Sequence, residues 1–331
     1  MIFYEMKKHL KIYVMMSGRC GNQLFQYAYG RAMQLKSGGQ LYLDYTWFDL
    51  EDKEMITQGY KNVLEEFQVA DYTFVDRRHF DMSVFQFGQL AICRFLGRAY
   101  NSMICRNRGL ATFIIYCLER VIAIPLQIFF GVYFIESVNS HWLHLPPMPW
   151  HRTIVLRGFF ESEKYFRSYI DIIRDELQPK EIRNKEILDL LDEMKGKIVS
   201  CISVRRGDFL SDNFKKQYYV CDEKYFMRAV NIIKQRCPDT ALLVCSDDID
   251  WCKDNLKFGD TQMYFEPDGL TLAEKLYLMK QCNHFILSNS TFSWWGQALS
   301  KSSSKIVIAP KKWRRELFSP KDIYGKNWIL I

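Results

Sequence analysis

The sequence predicts an α/β protein with two domains, each built on a parallel sheet. Its 331 residues suit about two domains of ordinary size. Near the start, an apolar run, a glycine-containing loop, a helical pattern and a second apolar run follow one another. Beyond residue 197, short apolar runs alternate regularly with helical patterns, which favours a doubly wound parallel sheet.

The first domain is predicted to open with a βαβ unit. Residues 12–16 form an apolar run that predicts a strand, and a loop at 17–22 follows it. Apolar residues then recur at helical spacing over 23–36, and Ser-Gly-Gly at 37–39 ends this helix. Residues 40–43 predict the second strand.

The middle of the chain gives a weaker pattern. Residues 50–150 are rich in aromatic side chains and predict no regular elements. A strand at 153–156 and a charged helical stretch at 171–194 follow. We place the domain boundary in that stretch, which divides the chain into 1–180 and 181–331.

The second domain shows the clearest alternation. Helix starts are marked by Asp222, by the Ser-Asp-Asp run at 246–248, and by a capping box of Thr271 with Glu274. Ligands in such sheets bind at the carboxyl ends of the strands, where the polar motifs of this chain fall. The predicted strands are residues 198–204, 241–245, 262–265, 284–287 and 305–308.

The amino-acid composition indicates which classes of ligand and partner this protein can bind. Hydrophobic residues make up 48% and charged residues 25%, which argues for packed cores and against disorder. The net charge of +7 fits a phosphate-bearing ligand or an anionic membrane surface. Cationic residues form no long tract, so no nucleic-acid partner is expected. Ten cysteines form no Cys-x-x-Cys pair, which argues against zinc and for small buried side chains.

The N-terminus and the apolar runs predict location. The first ten residues carry Lys7 and Lys8 but no long apolar core, so no signal peptide is predicted. The longest apolar stretch, 121–135, contains Pro125 and is shorter than the roughly 20 residues of a membrane span. We therefore expect a cytoplasmic protein that could lie peripherally on the inner face of the membrane.

An Arg-Arg-Gly-Asp run at 205–208 directly follows a predicted buried strand. Two guanidinium groups in this place can hold a diphosphate bidentately. Gly207 permits a sharp turn, and Asp208 can orient an arginine or take a proton. A salt-bridged turn without a ligand is the alternative.

Residues 288–296 carry a Ser-Asn-Ser-Thr-Phe-Ser-Trp-Trp-Gly run after another predicted strand. Ser290 and Thr291 are expected at a helix N-terminus, where hydroxyls and free N–H groups bind phosphate. The alternative is an ordinary capping run. In either case Trp294 and Trp295 are expected in the core.

Three further features carry less weight. The loop at 18–23 resembles a phosphate-binding turn but lacks the dinucleotide and P-loop motifs. Asp248 and Asp250 have the Asp-x-Asp spacing of some metal sites, yet helix capping explains them better, and no metal is predicted. His284 is expected to be packed rather than catalytic.

Five segments together resemble the bacterial α-1,2-fucosyltransferase family. Residues 18–28, Gly-Arg-Cys-Gly-Asn-Gln-Leu-Phe-Gln-Tyr-Ala, match its Gly-x-x-Gly-Asn-Gln-(Leu/Met)-Phe-Gln-Tyr-Ala motif. Residues 158–166 are similar to its Gly-Tyr-Phe-Gln-Ser-Glu-Lys-Tyr-Phe element, and 203–209 to its His-x-Arg-Arg-Gly-Asp-Tyr motif. Residues 246–252 and 288–296 complete the set in the family's order.

The resemblance implies a GT-B-like fold, with two Rossmann-like domains facing a cleft. It implies inverting transfer of L-fucose from GDP-β-L-fucose, without metal or other cofactor, to a galactose-containing glycan that could be lipid-linked. Residues 1–180 would serve the acceptor, and 181–331 would bind GDP-fucose. The alternatives are a fucosyltransferase of other linkage (α-1,6 or protein O-linked) and a catalytically silent nucleotide-sugar-binding protein.

The resemblance also implies roles for single residues. Arg205 would hold the β-phosphate, Arg206 would brace the loop, and Asp247 would help to recognise guanosine. The other implied donor-binding residues are Gly21, Asn22, Gln23, Ser246, Ser290, Thr291 and Phe292.

Two positions depart from the family pattern. Ser203 stands where the family has histidine, and Glu161 stands where it has glutamine. Glu161 would place a carboxylate on the acceptor side. With Arg205 as the catalytic cation, the candidates for the general base are Glu161 and Asp208.

A basic, apolar stretch at 90–135 suggests membrane contact. Between 84 and 135, five arginines accompany a single acid, Glu119, amid many apolar side chains. Such a mixture suits the headgroup region of an anionic leaflet. A buried helical pair with solvated arginines is the alternative. The arginines are Arg94, Arg98, Arg106, Arg108 and Arg120.

Overall fold

The computed structural model describes residues 10–46, 48, 52–76, 121, 132–136, 153–315 and 321–331. The chain divides into two compact units, Met1–Asn62 with Ala70–Ile173, and Val63–Val69 with Arg174–Ile331. Each unit is built on parallel strands, which confirms the predicted α/β class with two Rossmann-like units. The assignment of 1–180 to the acceptor and 181–331 to the donor stays a prediction.

The described part of the first unit contains a five-stranded sheet and two helices. The helices are α1 (Cys20–Ser37) and α2 (Lys53–Thr57). The strands are β1 (Lys11–Met15), β2 (Gln40–Asp44), β3 (Thr73–Val75), β4 (Val132–Glu136) and β5 (Thr153–Arg157), and they lie in the order β3-β2-β1-β5-β4.

Helix α1 packs closely on β1. Its Gly30 allows this approach, because a Cβ atom there would lie 2.4 Å from Cγ2 of Val14. The helix begins at Cys20, three residues before the predicted start. It ends at Gly38, which adopts a φ of 72° and donates its N–H to the carbonyl of Gln34. This left-handed C-cap confirms the helix end that the Ser-Gly-Gly run at 37–39 predicted.

The second unit contains a six-stranded sheet in the order β11-β10-β9-β6-β7-β8. The chain order reverses between β6 and β9, which makes their carboxyl ends the topological switch point. The strands are β6 (Val199–Val204), β7 (Ala241–Ser246), β8 (Met263–Phe265), β9 (His284–Leu287), β10 (Val307–Ala309) and β11 (Ile329–Leu330).

Six helices lie in the described part of the second unit, and one more, α3 (Ile170–Glu176), crosses the division between the units. Their predicted caps at Asp222, Asp248 and Thr271 are confirmed, since each side chain accepts an N–H of the first turn. The six are α4 (Glu186–Met194), α5 (Asp212–Tyr218), α6 (Glu223–Arg236), α7 (Ile249–Asn255), α8 (Leu272–Met279) and α9 (Thr291–Leu299).

Some sequence predictions of elements are wrong. The single helical stretch at 171–194 is two helices, α3 and α4, because Pro179 cannot continue a helix. Pro179 instead forms an isolated antiparallel bridge with Phe67. The short strands β3 and β11 carried too few residues to give a pattern. Strand β4 lies in the stretch 50–150, for which no regular element was predicted, so that prediction is wrong there.

Strands β6, β7 and β9 are buried along their whole length. Such continuous burial is expected of a parallel sheet covered on both faces. The seven cysteines among the described residues are free, and all but Cys237 are buried, in agreement with the prediction. None of the described helices is both long and apolar enough to span a bilayer. The stretch at 90–135 lies outside the described residues, apart from 121 and 132–135.

Candidate active site

The Arg-Arg-Gly-Asp loop leaves the sheet of the second unit at its switch point. Strand β6 pairs with β9 up to Ser203 and Leu287, and the loop starts two residues after Ser203. A short 3-10 turn, Gly207–Leu210, follows. This places the loop beside the start of α9, at the edge where doubly wound sheets bind their ligands.

Arg205 is held between two carboxylates. Its Nη2 lies 2.6 Å from Oδ1 of Asp208, and its Nη1 lies 2.9 Å from Oδ2 of Asp247. About a quarter of each of the three side chains is exposed. The guanidinium also lies 5.7 Å from the centre of the Phe209 ring. One N–H group donates to Asp208, and the contact with Asp247 is an ion pair, so the fork is oriented and can still donate to an anion.

Arg206 is engaged by the protein itself. Its Nε donates to Oδ2 of Asp248 at 3.1 Å, and its guanidinium lies 3.4 Å from the centre of the Trp251 ring. Its backbone N–H donates to Oδ1 of Asp247 at 2.9 Å. Because its side chain is only 12% exposed, Arg206 fixes the loop against α7.

Asp247 joins the loops that follow β6 and β7. A Cβ atom on Gly207 would lie 2.4 Å from Oδ2 of Asp247, so only glycine permits this approach. Ser246 shapes the same turn, since its Oγ accepts the N–H of Asp248 at 2.9 Å. The N–H of Ser246 donates to the buried carboxylate of Glu266 at 3.2 Å.

Glu266 is a buried acid for which no sequence pattern predicted a role. Burial raises the pKa of its carboxyl, and the Lys275 ammonium at 2.7 Å opposes this shift. The carboxylate thereby supports the turn that carries Asp247. Glu266 directly follows β8, the strand beside β7, and so supports the edge of the site from the neighbouring strand.

The N-terminus of α9 lies next to the arginine loop. Ser290 is the N-cap residue, but its side chain makes no capping hydrogen bond. Ser290, Thr291 and Phe292 are all partly exposed. The first-turn N–H groups therefore lack a side-chain cap, as an anion-binding terminus requires. Trp294 and Trp295 lie in the core, as predicted.

Ser203, which replaces the family's histidine, belongs to a buried chain of hydroxyl groups. Its Oγ lies 2.7 Å from Oγ of Ser293, which in turn lies 3.0 Å from Oγ of Ser288. The chain links the ends of β6 and β9 to the first turn of α9. A serine is thus built into the packing here, and an imidazole would need more room.

The glycine loop of the first unit uses its polar groups internally. Gln23 is fully buried, donates to the carbonyls of Gly18 and Lys61, and accepts from the hydroxyl of Tyr45. Its side chain thus supports the loop, and its role as a ligand contact stays a prediction. Asn22 differs, because it is partly exposed and its buried Oδ1 has no hydrogen-bond partner.

Two more residues of this unit concern the predicted site. Gly21 is buried in the first turn of α1, so only its backbone can serve a ligand. Glu161 is also buried, at 4% exposure, two residues before a 3-10 turn that Ser162 caps. The preceding Phe160 adopts a φ of 50°, a conformation that non-glycine residues seldom hold without a functional or packing reason.

The Asp-x-Asp run and His284 have structural partners. Asp248 caps α7 and pairs with Arg206, while the side chain of Asp250 is 91% exposed and lies 3.7 Å from Lys253. Among the residues that the structure describes, no group of three acids, cysteines or histidines is placed to hold a metal. His284 is buried and accepts the N–H of Ile306, and burial lowers its pKa.

The comparison with known families covers almost the whole chain. The model described as "Glycosyl transferase family 11" matches residues 11–331. The chain belongs to glycosyl transferase family 11. It is therefore a glycosyltransferase, which confirms the enzyme class and the family resemblance found in the motifs.

This glycosyltransferase is similar to several known proteins at low sequence identity. An Escherichia coli protein named "Alpha-1,2-colitosyltransferase" is 26% identical and covers 96% of this chain and 97% of its own. "Galactoside alpha-(1,2)-fucosyltransferase 1" of Sus scrofa is 26% identical over 59% of this chain and 56% of its own. The solved fucosyltransferase NodZ from Bradyrhizobium aligns with a TM-score of 0.48 and 15% identity, covering 88% of this chain and 94% of its own.

The structure adds residues to the site of the glycosyltransferase that the motifs did not reveal. Trp251 supports Arg206, and Asn289 donates to the carbonyls of Tyr218 and Trp313. Ser293 lies at the centre of the hydroxyl chain. Trp251, Asn289 and Ser293 lie inside matched motifs, so their position was a signal, but their partners are distant in sequence.

Proposed function

We propose that this glycosyltransferase transfers L-fucose from GDP-β-L-fucose to a galactoside hydroxyl, with inversion, to form an α-1,2 linkage. The observation that carries the proposal is the oriented Arg205 fork beside the uncapped N-terminus of α9. Both features meet at the switch point of a doubly wound sheet. That combination suits the diphosphate of a nucleotide sugar.

Arg205 acts on the leaving group in this proposal. As the bond between the anomeric carbon and the phosphate oxygen breaks, negative charge grows on GDP. A preorganised guanidinium and the free N–H groups of α9 meet this charge, and each such group contributes about 3–4 kcal/mol to lowering the barrier. Asp208 and Asp247 keep the fork in place, so little reorganisation is needed during the reaction.

The acceptor hydroxyl attacks the oxocarbenium-like carbon from the face opposite GDP, which converts the β-linked donor into an α-linked product. Its proton passes to a base. Asp208 is an unsuitable base because its charge is paired with Arg205 at 2.6 Å. Glu161 remains the candidate, and the turn that follows Phe160 would have to expose its carboxylate.

The E. coli relative's name supports a second donor, GDP-colitose, with the same α-1,2 linkage. Colitose is fucose without its 3-hydroxyl group, so the two donors place the same demands on the diphosphate site. Incubating the enzyme with each donor and a panel of galactosides, with mass detection of products, separates the two. Transfer from neither donor to any galactoside would contradict the proposal.

Linkage and turnover need their own measurements. Release of GDP that depends on acceptor separates an enzyme from a silent sugar-nucleotide-binding protein. NMR of the product distinguishes an α-1,2 linkage from α-1,6 or protein O-linkage. An α-1,6 product would preserve the glycosyltransferase and the donor but overturn the proposed acceptor position.

A further inference from the structure

Two cationic segments lie at the carboxyl edge of the sheet in the second unit. Lys215 and Lys216 are exposed on α5, which follows β6 and its loop. Lys311, Lys312 and Arg315 are exposed in the segment that directly follows β10. Because carboxyl ends of parallel strands share one edge, both segments emerge on the side that carries the candidate active site.

Buried contacts hold the two segments together. The N–H of Arg315 donates to the carbonyl of Gln217 at 2.8 Å. The buried amide of Asn289 donates to the carbonyl of Tyr218 at 2.8 Å and to that of Trp313 at 3.0 Å. The cations therefore form one preformed surface, and Asn289, which directly precedes Ser290, ties it to the start of α9.

Arg314 extends this surface toward the arginine loop. Its guanidinium lies 5.5 Å from the centre of the Tyr218 ring, and its buried Nε has no hydrogen-bond partner. The Tyr218 ring stacks on Phe209 at 5.3 Å, and Phe209 lies below Arg205. An aromatic stack thus connects the surface to the site.

The charge of this surface is not balanced by its own segments. Residues 211–218 and 310–315 contain six Lys and Arg against one acid, Asp212, a sum of +5. None of the six forms an ion pair with a described residue, whereas Arg205 and Arg206 are both paired with carboxylates. We name this surface, formed by Phe214 and the six cations, the basic patch. The cations are Lys215, Lys216, Lys311, Lys312, Arg314 and Arg315.

An exposed aromatic ring indicates which anion the patch suits. Phe214 precedes the two lysines on α5 and remains 43% exposed, in edge contact with Tyr218 at 5.7 Å. A free phosphate or the backbone of a nucleic-acid duplex gains nothing from a bare phenyl ring beside lysines. Single-stranded nucleic acid can stack its bases on such a ring, so its binding is an outcome of the test below. A bilayer interface accepts both, since headgroups meet the cations and the ring enters the boundary with the acyl chains.

We propose that the basic patch binds the surface of an anionic phospholipid bilayer, with Phe214 entering the interface. This would hold the carboxyl edge of the second unit at the membrane, next to acceptors carried on lipid. The inference does not depend on which sugar is transferred. It is also independent of the stretch at 90–135.

Vesicle flotation of the full chain tests the proposal. Phosphatidylcholine vesicles with and without about 30% phosphatidylglycerol are compared at low salt and at 1 M salt, where the Debye length is about 3 Å. The patch variant changes Lys215, Lys216, Lys311 and Lys312 to Gln. The control variant removes the same four charges from exposed positions outside the patch, by changing Lys195, Arg236, Lys257 and Lys301 to Gln.

We expect the wild type to bind only the anionic vesicles and to be released at 1 M salt. The patch variant should bind at least about a hundredfold more weakly, since each basic residue near an anionic surface contributes severalfold. The control variant should stay within about threefold of the wild type. Equal weakening in both variants, or no binding of wild type at low salt, would overturn the proposal.

Phe214→Ala distinguishes a bilayer from other polyanions. It should weaken vesicle binding about three- to tenfold and leave binding to duplex RNA and heparin unchanged. Tighter binding of wild type to single-stranded or duplex RNA than to anionic vesicles would assign the patch to nucleic acid and overturn the membrane proposal. GDP binding by each variant serves as the check of folding.

A final variant separates the patch from the other basic stretch. Changing Arg94, Arg98, Arg106 and Arg108 to Gln should leave the anionic vesicle binding of the patch in place. If that change alone abolishes flotation while the patch variant floats like the wild type, the contact belongs to 90–135 and the inference fails.

Discussion

The two units place their motif residues near carboxyl ends of parallel strands, yet they use opposite chemistry there. In the first unit, Gln23 and Gln26 are fully buried amides whose hydrogen bonds end inside the unit. In the second, Arg205 and Asp208 are about a quarter exposed and joined by an ion pair. The motif residues of the first unit stabilise its loop, whereas those of the second unit present charged groups in a fixed orientation.

This difference separates the expected effects of substitutions. Loss of a buried amide leaves backbone groups unsatisfied and lowers stability. Loss of Arg205 breaks two ion pairs that are still about a quarter exposed to water, so we expect a cost in stability of about 1 kcal/mol or less for each pair. Such a loss instead removes charge from the transition state.

The largest expected effect is on Arg205. Arg205→Ala should lower kcat/KM for GDP-fucose by roughly a hundredfold or more, and Arg205→Lys should not restore it, since a point charge does not replace a bidentate fork. Thermal unfolding should change little in both variants. Full activity of the lysine variant would refute the bidentate contact of Arg205 with the diphosphate.

Gln26→Leu should act on stability instead. Gln26 accepts the N–H of Ser17 and donates to the Ser17 hydroxyl and the Gly158 carbonyl. Removing these bonds should lower the free energy of unfolding by about 2–4 kcal/mol in urea titrations. Gln34→Leu is the matched control, because Gln34 is partly exposed and bonds only to nearby residues of α1 or its cap. Equal unfolding midpoints for the two variants would contradict the expected difference in stability between the buried and the partly exposed amide.

Ser203→His tests whether the family histidine can return. Ser203 is 5% exposed and lies in the hydroxyl chain with Ser293, so the imidazole should overpack the site and cost about 1–3 kcal/mol of unfolding free energy. The folded fraction should retain activity. A stable but inactive Ser203→His enzyme would show that the serine has a role in turnover.

The smallest effects are expected at the Asp-x-Asp run. Asp250→Asn should change stability by less than about 0.5 kcal/mol and leave activity intact, because its side chain is almost fully exposed. Asp248→Asn should retain the cap and most of the activity, since Asn caps helices as well as Asp does. EDTA should not stop turnover. Inactivation by EDTA with recovery in Mn²⁺ would show that these acids bind a metal.

The sequence predicted best where pattern and chemistry are local. Strand β9 and the capping box of Thr271 came directly from alternation and spacing. The arginine loop was recognisable because two guanidinium groups directly follow a strand. The break at Pro179 was also visible in the sequence, and it should have divided the helical stretch at 171–194.

Contacts between distant segments could not be predicted. Nothing local shows that Gln23 turns inward to the carbonyl of Lys61, or that Asp247 occupies both neighbouring arginines. Whether a polar motif residue faces a ligand or its own unit depends on such pairings. A motif match alone leaves that choice open, as the burial of Gln23 illustrates.

In the proposed reaction, Arg205 of the second unit holds the β-phosphate of the donor. Calorimetric titration of GDP and GMP tests this contact without any acceptor. The wild type should bind GDP at least about tenfold more tightly than GMP, and Arg205→Ala should bind the two about equally. A GDP preference that survives in Arg205→Ala would contradict the claim and place the phosphate elsewhere.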